Sequence, residues 1–284
     1  MKSIRSTQQV RQYLAPFREE RIALVPTMGC LHAGHISLIR KAKRLADIVV
    51  VSIYVNPRQF GEHEDFSQYP KTFEKDEELC RKEGVHCIFH PEKLYADDGP
   101  KITSKVAHMD QMLCGVSRSG HFDGVATVVN ILFNIIQPNI AIFGEKDWQQ
   151  LAIIRRMAYD LHMPIEIIGS GIVREHDGLA MSSRNRYLNA CEREKASMLY
   201  ASLKRIQQLA ENSKNIDYLL EEGHDFLDKH QLSAEYLEIR NENNLEIIHQ
   251  LKADTPARIF IAVKIGQTRL IDNIPLIPRM ECIQ

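Results

Sequence analysis

The chain has 284 residues, room for two domains, and its 36 Lys and Arg against 37 Asp and Glu leave a formal net charge of −1. That balance excludes a global basic field for nucleic acid, while a local anion site stays open. The first ten residues lack the apolar core of a signal peptide. The longest apolar run, 48–55, is interrupted by Ser52 and is far too short to span a bilayer.

In chain order, an apolar run at 22–25 reads as a short buried strand. Pro26 and Gly29 break it, and a helical pattern follows over 35–46. A strand over 48–55, a helix over 74–83 and a short strand at 87–89 come next. The stretch 123–136 reads as a largely buried helix stopped by Pro138, followed by a strand at 140–143, a helix over 148–161 and a strand at 165–168. Strands separated by helices predict right-handed crossovers and a Rossmann-like parallel sheet with helices on both faces, an α/β class. After Arg186 the pattern changes to helices over 191–209 and 216–229, then strands at 236–239, 259–263 and 269–271 with little helix between them. This predicts a smaller C-terminal α+β domain with a short antiparallel sheet. The boundary falls within 169–178, dividing the chain into 1–174 and 175–284.

Six cysteines (Cys30, Cys80, Cys87, Cys114, Cys191 and Cys282) are scattered without a Cys-x-x-Cys pair. They fit reduced thiols in a cytoplasmic protein better than a disulfide framework or a zinc ribbon.

Polar clusters fall where strands end. Met28, Gly29, Cys30, Leu31, His32, Ala33, Gly34 and His35 follow the first strand and lead into a helix. A helix start presents unpaired N–H groups and a positive dipole end, which suits phosphate. His32 and His35 can share one face there. The same spacing also fits a metal half-site or two solvent-facing imidazoles. Zinc would need a third ligand.

Asn56-Pro57-Arg58-Gln59-Phe60 follows the next strand, and Gly144-Glu145-Lys146-Asp147 precedes a helix. Acids suit a first helical turn, whereas Lys146 is misplaced at a positive helix end unless an anion compensates it. Met181-Ser182-Ser183-Arg184-Asn185-Arg186 offers hydroxyls and guanidiniums in a short, mobile loop. Gln59 and Gln150 can both donate and accept, as recognition of a small polar acid requires. Tyr69, Arg118 and His121 carry no assignment. Open α/β sheets bind ligands beyond the carboxyl ends of their strands, so the four clusters together point to binding and activation of a nucleoside triphosphate.

Taken as an ordered set, Pro26-Thr27-Met28-Gly29 with His32-Ala33-Gly34-His35, Val55-Asn56-Pro57-x-Gln59-Phe60, Gly144-Glu145-Lys146-Asp147, 177–185 and Gly266-Gln267-Thr268-Arg269-Leu270-Ile271-Asp272-Asn273 resembles the pantoate–β-alanine ligase (pantothenate synthetase) family. The first of these looks like that family's version of the HIGH signature. The resemblance implies ATP bound by Met28 to His35, Gly144 to Asp147, Val173 and Met181 to Arg184. It implies a catalytic group of His35, His32 and Lys146 with His35 as general acid, and Gln59 contacting pantoate and β-alanine. Gln150 would contact pantoate. By the same resemblance 1–174 binds ATP and pantoate, 175–284 forms a lid, the protein is a homodimer, and Mg²⁺ arrives on ATP. No side chain, Asp76 included, is assigned to the metal.

The implied reaction joins pantoate to β-alanine through pantoyl adenylate, releasing AMP and pyrophosphate. Three positions depart from the commonest family pattern: Cys30, where alanine or asparagine is expected, Arg58 for methionine, and Trp148 for tyrosine or phenylalanine. The alternatives are a plain nucleotidylyltransferase of the same superfamily and a non-catalytic nucleotide-binding regulator. The paired glutamines weigh against the first, and the density of charged groups against the second. An aminoacyl-tRNA synthetase is disfavoured because the last third lacks a basic face.

Overall fold

A computed structural model describes residues 1–62, 64–252 and 254–276; Cys282 lies outside them. Two compact units are present: Met1–Glu145 with Ile153–Ile172, and Lys146–Ala152 with the described residues from Val173 onward.

Six strands form the sheet of the first unit: β1 (Lys2–Ile4), β2 (Ile22–Thr27), β3 (Ile48–Ile53), β4 (Cys87–Phe89), β5 (Ile140–Gly144) and β6 (Glu166–Ser170). All pairings are parallel, in the order β1-β4-β3-β2-β5-β6, as the alternation of strands and helices predicts. The helices are α1 (Thr7–Leu14), α2 (Ala33–Leu45), α3 (Phe73–Lys82), α4 (Cys114–Ser117), α5 (His121–Ile136) and α6 (Trp148–Asp160), the last beginning in the second unit.

Successive strand residues face opposite sides of a sheet. Ala23, Val25, Val49, Val51, Ile88, Ile140 and Ile142 pack with Ile36, Leu38, Ile39 and Ala42 of α2 and Cys80 of α3. The residues between them, such as Leu24, Val50, Phe89 and Ala141, are equally buried. Both faces are therefore covered, which is why the strands read as near-continuous apolar runs rather than alternating ones. Burial pushes the Cys80 and Cys87 thiols up to about 12, so they pack as small apolar groups.

From β2 the chain steps outward to β3 and β4, then returns on the other side of β2 as β5 and β6. The reversal between β2 and β5 is the position at which open sheets place ligands. It sets the carboxyl ends of β2 and β5, and so Met28 and Glu145, at neighbouring places on one edge.

β1 and α1 are absent from the elements expected from the sequence, although Ser6 caps α1 by accepting from Gln9 N. A three-residue edge strand is too short for a period, and α1 buries only Val10 and Leu14.

In the second unit β7 (Ala234–Asn241), β8 (Ala257–Ile265) and β9 (Thr268–Pro275) form an antiparallel sheet in that order, with α7 (Ala190–Ala196), α8 (Met198–Ala210) and α9 (Ile216–Lys229). Leu199, Leu203, Ile206, Leu219 and Leu227 of α8 and α9 pack with Ile259, Ile261 and Val263 of β8. The single helix expected over 191–209 is two. Ser197 turns both its N–H (3.3 Å) and its hydroxyl (2.7 Å) to Glu194 O, a tightened i−3 pattern that interrupts the helical ladder. Among the described residues no helix is long and apolar enough to cross a membrane.

Candidate active site

The turn after β2 is built around a buried carboxylate. Thr27 donates its hydroxyl to Ser52 O (2.8 Å) and accepts from Gly29 N (3.2 Å). Gly29 has φ +82°, and a Cβ there would lie 3.0 Å from Asp76 Oδ2 and 3.1 Å from Ile53 Cγ2, so both conformation and space call for glycine. Cys30 N and Leu31 N then donate to Asp76 Oδ2 (2.9 Å) and Oδ1 (2.8 Å), and the Thr72 hydroxyl adds a third bond at 3.2 Å. Asp76 is 1% exposed. The contact at position 30 is thus made by backbone, which accommodates the cysteine, although its φ of +51° suits asparagine better. Sequence reasoning leaves Asp76 without a role because an acid in the first turn of α3 looks like an ordinary dipole partner.

His32 and His35 close a reciprocal cap on α2. His32 is the N-cap, its Nδ1 accepting from Gly34 N at 3.1 Å, while His35 Nδ1 accepts from His32 N at 3.3 Å. A ring nitrogen that accepts from a backbone N–H carries no proton, so each neutral imidazole bears its proton on Nε2. The ring centroids are 4.1 Å apart. Among the described residues no three His, Cys, Asp or Glu side chains are grouped to hold a metal ion. Chemically the pair amounts to two Nε2–H donors beside the positive end of a helix.

Gln59 sits in a hydrogen-bonded cradle after β3. Asn56, 1% exposed, accepts from Arg58 N (3.3 Å) and from the Tyr95 hydroxyl (2.8 Å). Its amide donates to Gln59 Oε1 and to Gly124 O, both at 3.1 Å. Gln59 Nε2 lies 3.1 Å from Met28 Sδ, so the two strand-end segments meet. The Gln59 carbonyl accepts from Arg118 Nη2 (3.3 Å) and His121 Nδ1 (2.7 Å).

Arg118 is itself held by both oxygens of Glu64 at 2.6 and 2.7 Å. Burial pushes the Glu64 carboxyl up, but the Arg118 bonds and charge outweigh it and leave the group below the usual carboxylate range. Arg118 and His121 therefore position the Gln59 backbone. Arg58 is exposed, so its charge is solvated.

The cradle also needs Gly124 of α5, where a Cβ would meet Arg58 O at 2.2 Å and Gln59 N at 2.8 Å. Gly124→Ala is expected to cost about 1–3 kcal/mol by overpacking, read as a lowered urea midpoint. A midpoint equal to the parent's would show that α5 yields freely.

Of the other predicted residues, Gly144 and Glu145 belong to the first unit, and Lys146, Asp147, Gln150, Val173 and Met181–Arg184 to the second. Glu145–Asp147 is a single 3-10 turn between β5 and α6. Lys146 Nζ lies 3.1 Å from Asp147 Oδ1, so part of the compensation that the sequence reserves for an external anion comes from its neighbour. Gln150 is half-buried. Trp148 is 1% exposed; its indole N–H donates to Glu242 O at 2.7 Å, and the Arg258 guanidinium lies 3.4 Å from its ring centroid. Phenylalanine could stack there but could not donate.

Val173 and Met181 are brought together by a hairpin in which Met181 N donates to Val173 O (3.0 Å) and Glu175 N to Leu179 O (2.8 Å). Ser182 caps the following 3-10 turn, Ser183–Tyr187, by accepting from Arg184 N at 3.3 Å. The segment expected as a mobile loop is braced at several points. Asn185 donates to Glu175 Oε1 (2.8 Å), and Arg193 of α7 pairs with Glu175 (2.7 Å) and Asp177 (2.5 Å). The Arg193 hydrogen bonds hold the Asp177 carboxyl below its ordinary range. At Glu175 burial acts upward, yet Arg193 and Asn185 leave that group low as well.

A family model described as Pantoate-beta-alanine ligase matches residues 2–275. The chain belongs to the pantoate-beta-alanine ligase family. The ligase is 49% identical over 279 residues to the pantothenate synthetase of Acinetobacter baylyi, across 96% of this chain and 98% of that protein. It is 46% identical over 283 residues to that of Pseudomonas fluorescens, across 97% and 98%. The pantothenate synthetase of Thermus thermophilus has a similar structure, with a TM-score of 0.92 at 38% identity over 98% of this chain and 100% of that one. A pantoate-beta-alanine ligase from Francisella tularensis, solved with beta-gamma ATP and beta-alanine, has a TM-score of 0.78 at 32% identity, covering 97% and 98%. Membership makes the chain an enzyme and bears out the resemblance seen in its motifs.

Proposed function

We propose that the ligase condenses (R)-pantoate with β-alanine using ATP, through a pantoyl adenylate, and releases AMP and pyrophosphate. The capping box of His32 and His35 carries this reading, because it commits both rings to Nε2–H donation at a helix start. Supporting it, the Francisella tularensis relative was solved with an ATP compound and β-alanine. ATP is assigned to Met28, Gly29, Cys30, Leu31, His32, Ala33, Gly34, His35, Gly144, Glu145, Lys146, Asp147, Val173, Met181, Ser182, Ser183 and Arg184. Gln59 is assigned to pantoate and β-alanine, and Gln150 to pantoate. Residues 1–174 carry nucleotide and pantoate and 175–284 act as the lid, in a cytoplasmic homodimer. Mg²⁺ enters on the triphosphate.

A carboxylate is a poor electrophile, so amide formation first needs a mixed anhydride. A pantoate carboxylate oxygen attacks the α-phosphorus, and the bond from that phosphorus to the bridging oxygen of pyrophosphate breaks. Negative charge grows on the departing oxygen, where His32, His35, Lys146 and Arg184 stabilise it. With Nδ1 held as an acceptor, full proton transfer from His35 Nε2 would leave an imidazolate, too basic at neutral pH. His35 therefore acts as a hydrogen-bond donor to developing charge, which refines the general-acid role implied by the resemblance. The β-alanine amine then attacks the acyl carbon, loses a proton and displaces AMP.

The first step runs backwards when pyrophosphate is supplied. Labelled pyrophosphate is expected to enter ATP with pantoate present and β-alanine absent, and not without pantoate. Formation of ADP, or exchange that requires β-alanine, would overturn the adenylate mechanism.

A further inference from the structure

Two neighbouring residues of β9 are polar and buried, Asp272 at 3% and Asn273 at 2% exposure. Burying such groups is unfavourable unless they are hydrogen-bonded, and both are. Consecutive strand residues face opposite sides of a sheet, so the pair reaches two different segments.

Asp272 lies opposite Ile261 of β8, on the face that packs with α8 and α9. Its Oδ2 accepts from Arg174 Nη1 (2.6 Å), and its Oδ1 from Arg174 Nη2 (3.0 Å) and Asn273 N (2.7 Å). Arg174 also donates to Gly178 O (3.0 Å) and lies 3.8 Å over the Tyr200 ring. Gly178 has φ +91°, and a Cβ there would stand 2.3 Å from Tyr200. Arg174 thus ties the hairpin that carries Val173 and Met181 to the strand.

Asn273 lies opposite Phe260, on the same face as Arg258. Its Oδ1 accepts from Arg258 Nη1 (2.5 Å), and its Nδ2 donates to Lys146 O (2.8 Å). Arg258 also binds Glu242 (3.2 Å) and stacks on Trp148. The backbone of Lys146 is therefore held by an amide whose own orientation is set by a guanidinium.

We propose that Asp272 and Asn273 are positioning residues of the ligase, setting the hairpin of Val173 and Met181–Arg184 and the backbone of Lys146 in register from the two faces of one strand. A buried ion pair adds little stability over apolar residues of the same volume. What the bidentate pair and the amide supply is direction. A displacement of about 1 Å in a positioning group can slow a reaction about 10²-fold. The inference rests on the reading of Lys146 and Arg184 as ATP ligands.

The test uses the full-length enzyme and pantoate-dependent pyrophosphate exchange, with rates normalised to the folded fraction by circular dichroism. Asn273→Asp keeps an acceptor for Arg258 and removes the donor to Lys146 O. Exchange is expected to fall about 10- to 10²-fold, and N273D/K146A is expected to be no slower than Lys146→Ala alone. Losses that multiply in the double variant, or parent-like exchange in Asn273→Asp while Lys146→Ala is impaired, would overturn the proposal and leave the function intact. Parent-like exchange in Lys146→Ala would instead remove the ATP role of Lys146 and this inference with it. Asp272→Asn paired with Arg184→Ala forms the same cycle for the other face. Should Asn273→Asp not fold, Asn273→Ser, which is smaller and too short to reach Lys146 O, takes its place with the same expected non-additivity.

Discussion

Replacing His35 with alanine is expected to slow pantoate-dependent pyrophosphate exchange by about 10²–10³-fold, the loss seen when one donor to developing charge is removed. That variant mixes two effects, because His35 both carries Nε2–H and accepts at Nδ1 from His32 N. The cap is worth about 1 kcal/mol. His35→Asn separates them. Its amide oxygen can accept from His32 N, while nothing replaces Nε2–H at the same reach. Exchange is expected to fall equally in both variants, with the melting temperature of His35→Asn close to the parent's. Parent-like exchange in His35→Asn would take Nε2 out of the mechanism and leave His35 a structural cap.

Asp76→Ala is expected to cost about 2–4 kcal/mol of stability, since charge-assisted hydrogen bonds contribute about 1.5–3 kcal/mol each and their donors would be left unpaired. The Cys30 and Leu31 N–H groups and the Thr72 hydroxyl all lose their acceptor. Asp76→Asn is the sharper variant. One amide oxygen can serve one of the two backbone donors, while the NH₂ group faces the other. We expect smaller destabilisation in urea, but a rise in the KM for ATP, because the turn that leads into His32 is displaced. An unchanged KM with lowered stability would make Asp76 a brace for α3 and not for the nucleotide segment.

Much of this enzyme was legible in its sequence, and the reason is local. Near-continuous apolar runs at β2, β3 and β5 follow from burial on both faces, and the helix 216–229 was readable to the residue because its apolar period repeats within a few turns. The turn from Met28 to His35 was equally visible, since Gly29 and the two histidines act on their own neighbours, but Pro26 does not end the strand as its type suggests: it stays in β2 opposite Ser52, and the strand runs on to Thr27.

Other features needed the closed chain. Ser197 divides a stretch whose period runs straight through it, and β1 exists only because Lys2–Ile4 finds Cys87–Phe89.

Spacing alone left His32 and His35 between phosphate, metal and solvent. The tertiary structure turns both Nδ1 atoms to the α2 cap as acceptors, the arrangement of a ring protonated on Nε2. Asp76 meets Cys30 across 46 positions of sequence, and Asn273 meets Lys146 across 127. No periodicity or capping rule spans such distances. The sequence by itself determined the parallel sheet, the antiparallel appendage and the strand ends at which the chemistry gathers, because short-range backbone preferences and apolar patterning set those. Only the tertiary structure decided which buried polar groups hold the site residues in place, because a hydrogen bond between distant residues exists only once the chain has closed around both partners.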